Sequence, residues 1–235
     1  MQRHSIRHAG FFPRDPSREF ECSHDPNTGR PVIPSFDRYI LPAVAEATST
    51  VLPRWARRLI SELDDADRRA KGLAEGLSTG QLNWRPRQDA WSIGQCLQHL
   101  FIANEVYLPP IATSLNDWRR ATVQEITPGW FGRWFIRKYI APSSATTRAR
   151  APKKIAPGKQ VEPSTLESFL QSNQEARQVV QLASDYDVNR IRFKNPFVPF
   201  IFFTVGTGLE IVSKHQDRHL LQAEHVKQAV DFPKQ

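Results

Sequence analysis

Lys214-His215-Gln216-Asp217-Arg218-His219, inside the segment from Thr204 to Gln228, is the stretch on which the rest of the chain turns. Two histidines four apart lie one above the other on a helix, because side chains at i and i+4 share a face. At about 100° per residue, Gly208, Val212, His215, His219, Gln222 and Val226 fall within one stripe. Lys214, Asp217, Arg218 and Glu224 take the opposite side. The two imidazoles therefore stand in the middle of the face expected to be buried. A buried polar ring needs a partner, and two rings sharing an edge make a natural pair of metal ligands. Spacing alone is met more often by histidines satisfied through hydrogen bonds in a core, since the glutamate of the zinc-protease motif is missing.

Working outward from that helix, the same apolar period recurs in three earlier segments. From Pro53 to Leu77, Trp55, Leu59, Leu63, Ala66, Ala70, Leu73 and Leu77 mark one face, with Pro53 suited to a first turn. Residues 82–86 then read as a connector. Ser92-Ile93-Gly94-Gln95 has capping-box spacing and opens a second helix that Pro109-Pro110 should stop after Leu108. Ile93, Cys96, Leu97, Leu100, Asn104 and Tyr107 make its inner face, and His99 lies on the flank. Ser164-Thr165-Leu166-Glu167 is a second capping box, opening a helix to about Ser184 with Leu166, Phe169, Leu170, Asn173, Ala176, Val180 and Ala183 inside. Thr207-Gly208-Leu209-Glu210 offers a capping signal for the last helix. No strand alternation is convincing, so the chain predicts an all-α, up-down four-helix bundle over residues 54–235.

Two regions fall outside that pattern. Residues 1–53 are rich in Pro, Arg and Asp, with a turn signal at Asp25-Pro26-Asn27-Thr28-Gly29 and only a weak helical pattern at 36–51, and they read as an irregular extension. Residues 111–163 form a long insertion between the second and third helices. Within it Trp130 to Tyr139 is a short aromatic and basic amphipathic stretch. It is expected to cover the open end of the bundle or to form a subunit contact, in preference to contacting a membrane.

Composition narrows the class. The chain has 235 residues, enough for one sizeable core, and 40% hydrophobic residues with 24% charged. The longest apolar run, Phe197 to Val205, is too short to span a bilayer, and the N-terminus lacks an apolar signal region. Two cysteines, Cys22 and Cys96, argue against a disulfide framework and place the chain in a reducing cytoplasm. The net charge of +8 is spread over several segments with no groove-reading motif, which argues against a nucleic-acid partner. Cys96, on an inner face, is expected to be a packed residue and not a nucleophile, and His24 a solvent-facing histidine.

Facing helices of a bundle are where core metal sites are built, so His99 on the second helix is a candidate third ligand beside His215 and His219. Three imidazoles leave a coordination position open, as catalytic metals require, and zinc, nickel, iron and manganese all accept them. Asn104 and Gln222 are expected to point inward near the same level, as supports for the ligands or contacts to substrate.

Two stretches carry a family resemblance. Leu77-Ser78-Thr79-Gly80-Gln81-Leu82-Asn83-Trp84-Arg85-Pro86 followed by Trp91 to Leu100, and His215 to Glu224, together resemble the DinB-like superfamily of YfiT type, relatives of the bacillithiol and mycothiol S-transferases. The resemblance covers roughly Trp55 to Val230. It implies a usually dimeric four-helix bundle with a divalent metal on His99, His215 and His219, and a metal-dependent enzyme that transfers a low-molecular-weight thiol to an electrophile. A non-catalytic, stress-related metal-binding bundle is the rival expectation. The extension and the long insertion depart from the family pattern, so substrate pocket and lid are not carried over.

Overall fold

The computed structural model describes residues 51–116, 118–141, 151–198 and 200–234. The 1–50 part of the expected extension, with Cys22, His24 and most of the weak helical segment, lies outside them.

Helix α1 (Arg54–Ala74) begins after Pro53 and buries Trp55, Leu59, Leu63, Ala66, Ala70 and Leu73, the periodic residues the sequence picks out. It stops three residues before the expected Leu77. Glu75 is extended and Gly76 takes φ 75, a left-handed turn that glycine adopts without a Cβ penalty. Ser78 then caps a five-residue helix, α2 (Thr79–Asn83), through a capping box with Gln81. The connector expected at 82–86 thus begins with a helical turn too short for any periodicity to reveal.

Helix α3 (Ile93–Thr113) opens on the predicted capping box. Ser92 Oγ accepts from Gln95 N at 3.1 Å, and Gln95 Oε1 accepts from Ser92 N at 3.1 Å. It does not stop at Leu108 but runs through Pro109 and Pro110. An interior proline costs about 3 kcal/mol. Here both lie near the end of the helix, where Leu108, Ile111 and Leu115 are buried at about 1.5–3 kcal/mol each, which offsets that cost.

Helix α5 (Thr165–Ala183) has the expected extent but not the expected cap. Ser164 is already helical in its backbone, and its side chain caps nothing. The Thr165 N–H goes instead to the Glu162 carbonyl at 3.0 Å, so a backbone turn takes the place of the box. Helix α6 (Val205–Lys227) starts one turn earlier than Thr207-Gly208 suggests, with Thr204 Oγ1 accepting from Thr207 N at 3.2 Å. An antiparallel hairpin precedes it, β1 (Arg192–Lys194) and β2 (Phe202–Thr204), pairing Phe193 with Phe203. No strand signal stands in the sequence there because three residues are too few to show alternation.

The chain is a four-helix bundle of α1, α3, α5 and α6, with α1 and α3 each packed on both α5 and α6. Two apolar clusters divide it along its length. Trp55 and Leu59 of α1 share one with Leu108 and Ile111 of α3, Val180 of α5 and Leu209 of α6. Ala70 and Leu73 share the other with Ile93 and Leu97, Phe169 and Leu220. The helices therefore run up, down, down, up. Helices α3 and α5 are parallel because the long insertion carries the chain back to the end where α3 began. Within the insertion, α4 (Trp130–Phe135) and a π-helical turn (Ile136–Ile140) pack on α6 and β2, as a cover at the opposite end of the bundle, beside the cluster that holds Trp55 and Leu209.

Between the clusters lies a polar layer with a member from every bundle helix. The Asn173 and Gln216 amides pair, with Gln216 Nε2 donating to Asn173 Oδ1 at 2.7 Å. Asn104 Nδ2 donates to Ser172 Oγ and Asn173 Oδ1, and Asp67 accepts from Asn173 at 2.7 Å and from Arg177 at 2.8 Å. Buried polar groups satisfied in this way fix which helix faces which, since a rotation or slip would strand them unpaired.

Candidate metal centre

His99 is held near the start of α3, about two turns past the Ser92 cap, and is 2% exposed. His215 and His219 come from the middle of α6, the first partly buried and the second 9% exposed. The three rings meet edge to face, with centroids 4.5–4.9 Å apart. One nitrogen from each lies within 4.8 Å of the others, a group able to hold a metal ion. The triad read from the sequence is brought together.

The ring orientations are set by their outer nitrogens. His99 Nδ1 lies 2.7 Å from the Ile155 carbonyl, and His219 Nδ1 lies 3.0 Å from Gln222 Oε1. A carbonyl oxygen only accepts, so in both rings Nδ1 carries the proton and Nε2 keeps its lone pair. His99 Nε2 in turn faces His215 Nε2 at 3.1 Å. Burial pushes the His99 pKa down, opposed by its bond to Ile155. For His215, burial and then the neighbouring His219, His99 and Arg218 lower it well below the ordinary value. Burial and His99 bring His219 down to about 3. Three neutral imidazoles, two of them with Nε2 lone pairs turned inward and the third meeting His99 through its own Nε2, are a donor set matched to a divalent cation, and a further proton on any of them is disfavoured.

Gln222 stands where the sequence suggested, against a histidine. Asn104 does not. It lies five residues beyond His99, about 7.5 Å along the axis, and its amide is spent on Ser172 and Asn173 in the polar layer. Gln216, at 1% exposure, marks the true centre of the buried face of α6, so His215 sits at its edge and not its middle. Cys96 is fully buried, and burial pushes its thiol pKa up, so it is a packed core residue as expected.

Two contributors escaped the sequence. Trp91, given no role by the sequence beyond opening the stretch Trp91 to Leu100, lies over both His219 and His99, with centroids at 5.5 and 4.8 Å. The Ile155 carbonyl belongs to the insertion, in a short 3-10 turn (Lys153–Ile155) with no periodic signal. That turn is tied down nearby, since Gln95 and Gln98 of α3 both bond the backbone of Gly158, and Asn83 bonds Val161 twice. Only the capping residue Gln95 gave a hint, because its side chain serves both the box and the insertion.

No curated protein matches the chain. Among solved structures it is similar to YfiT from Bacillus subtilis, described as "a probable metal-dependent hydrolase with an unusual four-helix bundle topology". The identity is 15%, with 74% of this chain and 86% of that one covered and a TM-score of 0.48. The sequence model of the DinB superfamily matches residues 62–223, which takes in all three histidines and more than half of the chain. The chain belongs to the DinB superfamily.

Proposed function

We propose that the protein is a divalent-metal-dependent enzyme with His99, His215 and His219 as the ligands and a small-molecule substrate. The observation that carries this is the arrangement of outer partners, in which Ile155 and Gln222 hold two rings in the tautomer that turns Nε2 inward. Core histidines with no ligand would have no need of converging lone pairs. A bound divalent metal supplies Lewis acidity that keeps a coordinated thiol as thiolate near neutral pH. The chain's own residues do the rest. Gln222 and the Ile155 carbonyl orient the rings, and Trp91 excludes water from one side of them. The reaction we favour is transfer of a low-molecular-weight thiol to an electrophilic carbon, in a cytoplasmic homodimer whose functional domain is residues 54–235.

A closed, non-catalytic metal site is the second reading. The cover that Trp91 places over His99 and His219 favours it. Metal analysis of the purified protein beside a His215→Ala/His219→Ala variant tests both readings. Stoichiometric metal in the wild type and its loss in the variant are expected, and equal content would sink the site. A cobalt-substituted spectrum that shifts on adding a thiol supports the enzyme, whereas an indifferent spectrum supports the closed site.

A further inference from the structure

The cover at the far end of the bundle has a second side. Its inner side packs: Gly132 approaches Thr207 of α6 closely, and Phe135 packs at a tilt against Phe203. The outer side is unpacked among the described residues. Trp130 is 75% exposed, Phe202 54% and Phe200 92%, with Phe131, Tyr139 and Val198 also open. The two elements are joined through Phe203, which stacks on Phe131 at 5.8 Å and sits beside Phe202 in β2. Phe200 is held at φ 70, a left-handed conformation that a bulky residue rarely takes. A strained backbone that presents a large apolar ring to solvent points to a use for the ring.

The charge around these rings is mostly of one sign, with Asp187 paired to Arg190 at 3.9 Å. Arg133, Arg137 and Lys138 on the helical cover and Arg190, Arg192 and Lys194 in and before the hairpin are all exposed, and neither segment (128–141 or 190–204) contains an acidic residue. Lys138 lies over the Trp134 and Tyr139 rings, at 5.1 and 5.3 Å from their centroids. We propose that this aromatic and basic face docks the protein peripherally onto an anionic phospholipid surface. Tryptophan, tyrosine and phenylalanine favour the boundary between headgroups and acyl chains, and flanking lysines and arginines reach the phosphates. No described helix is long and apolar enough to cross a membrane, so the association is peripheral.

Other occupants fit less well. A symmetric contact with a second copy would bring six cations against six more across the axis. A nucleic acid would use the charges, but an exposed hairpin tip of Val198 and Phe200 offers no groove for bases.

Co-sedimentation of the full-length protein with vesicles tests the proposal. Binding to phosphatidylcholine mixed with phosphatidylglycerol is expected to be at least about tenfold tighter than to phosphatidylcholine alone, and to weaken with salt. Trp130→Ser/Phe200→Ser and, separately, Arg137→Glu/Lys138→Glu should each lose about tenfold or more in affinity. All four side chains are solvent-exposed, so unchanged circular dichroism and metal content are expected. If the apolar variant fails to fold, the charge variant decides. Three results overturn the proposal: no preference for anionic vesicles, full binding by the charge variant, or a switch from dimer to monomer in the apolar variant of a protein that ignores vesicles. Binding to duplex or single-stranded nucleic acid without binding to vesicles overturns it as well.

Discussion

His99, His215 and His219 are neutral because burial and mutual proximity make each proton costly, and this has a consequence for the metal-free protein. Unfolded histidine titrates near 6.5. Below that pH the unfolded chain takes up protons that the native triad refuses, so stability falls as pH drops from about 6.5 toward 3 and is level above 6.5. Each histidine that stays neutral contributes a slope of about 1.4 kcal/mol per pH unit in that window. Chelator-treated wild type should therefore lose thermal stability on acidification faster than chelator-treated His215→Ala/His219→Ala. Parallel profiles would show that the rings are not held neutral. At this scale the pair His215/His219 was legible from its i, i+4 spacing, and His99 from its place on a helix flank. Gln222 was legible as well, three residues from His219 on the same face. The Ile155 carbonyl was not, since any residue type supplies one and only its position matters.

The helices show how far cap chemistry can be trusted. Of the Ser-x-x-Gln/Glu boxes read from the sequence at Ser92 and Ser164, only the first forms. Ser92→Ala should destabilise the protein by about 1 kcal/mol or more, since it strips the buried cap of the helix that carries His99. Ser164→Ala should lie within about 0.5 kcal/mol of wild type, as expected of a side chain that caps nothing. Urea denaturation of both variants decides, and a loss at Ser164 matching that at Ser92 would contradict the geometry. The amphipathic periods of α1, α3 and α5 were plain in the sequence because each covers four or more turns. Pro109-Pro110 misled for the opposite reason: a local rule ends the helix there, and burial of Ile111 and Leu115 by distant elements carries it on.

At the scale of the molecule, the proposed ligands join α3 to α6, two helices that start at opposite ends of the bundle and pack along their length. A metal that binds only the folded triad stabilises by mass action, about 2.7 kcal/mol at a free concentration one hundred times its Kd. Addition of zinc to stripped protein should raise Tm by several degrees, with EDTA reversing the gain. The same gain in His215→Ala/His219→Ala would place the metal elsewhere.

That the chain is helical, where its long helices lie, and that His215 and His219 share one helix face followed from sequence alone. Each rests on interactions within a few residues, namely the 3.6-residue period, the cap and the i, i+4 pair. The senses up, down, down, up, the polar layer joining Asp67, Asn104, Asn173 and Gln216, and the Ile155 carbonyl behind His99 were decided only by the tertiary structure. Those features pair groups dozens of residues apart, and such pairing depends on the path of the long insertion, which no local pattern encodes.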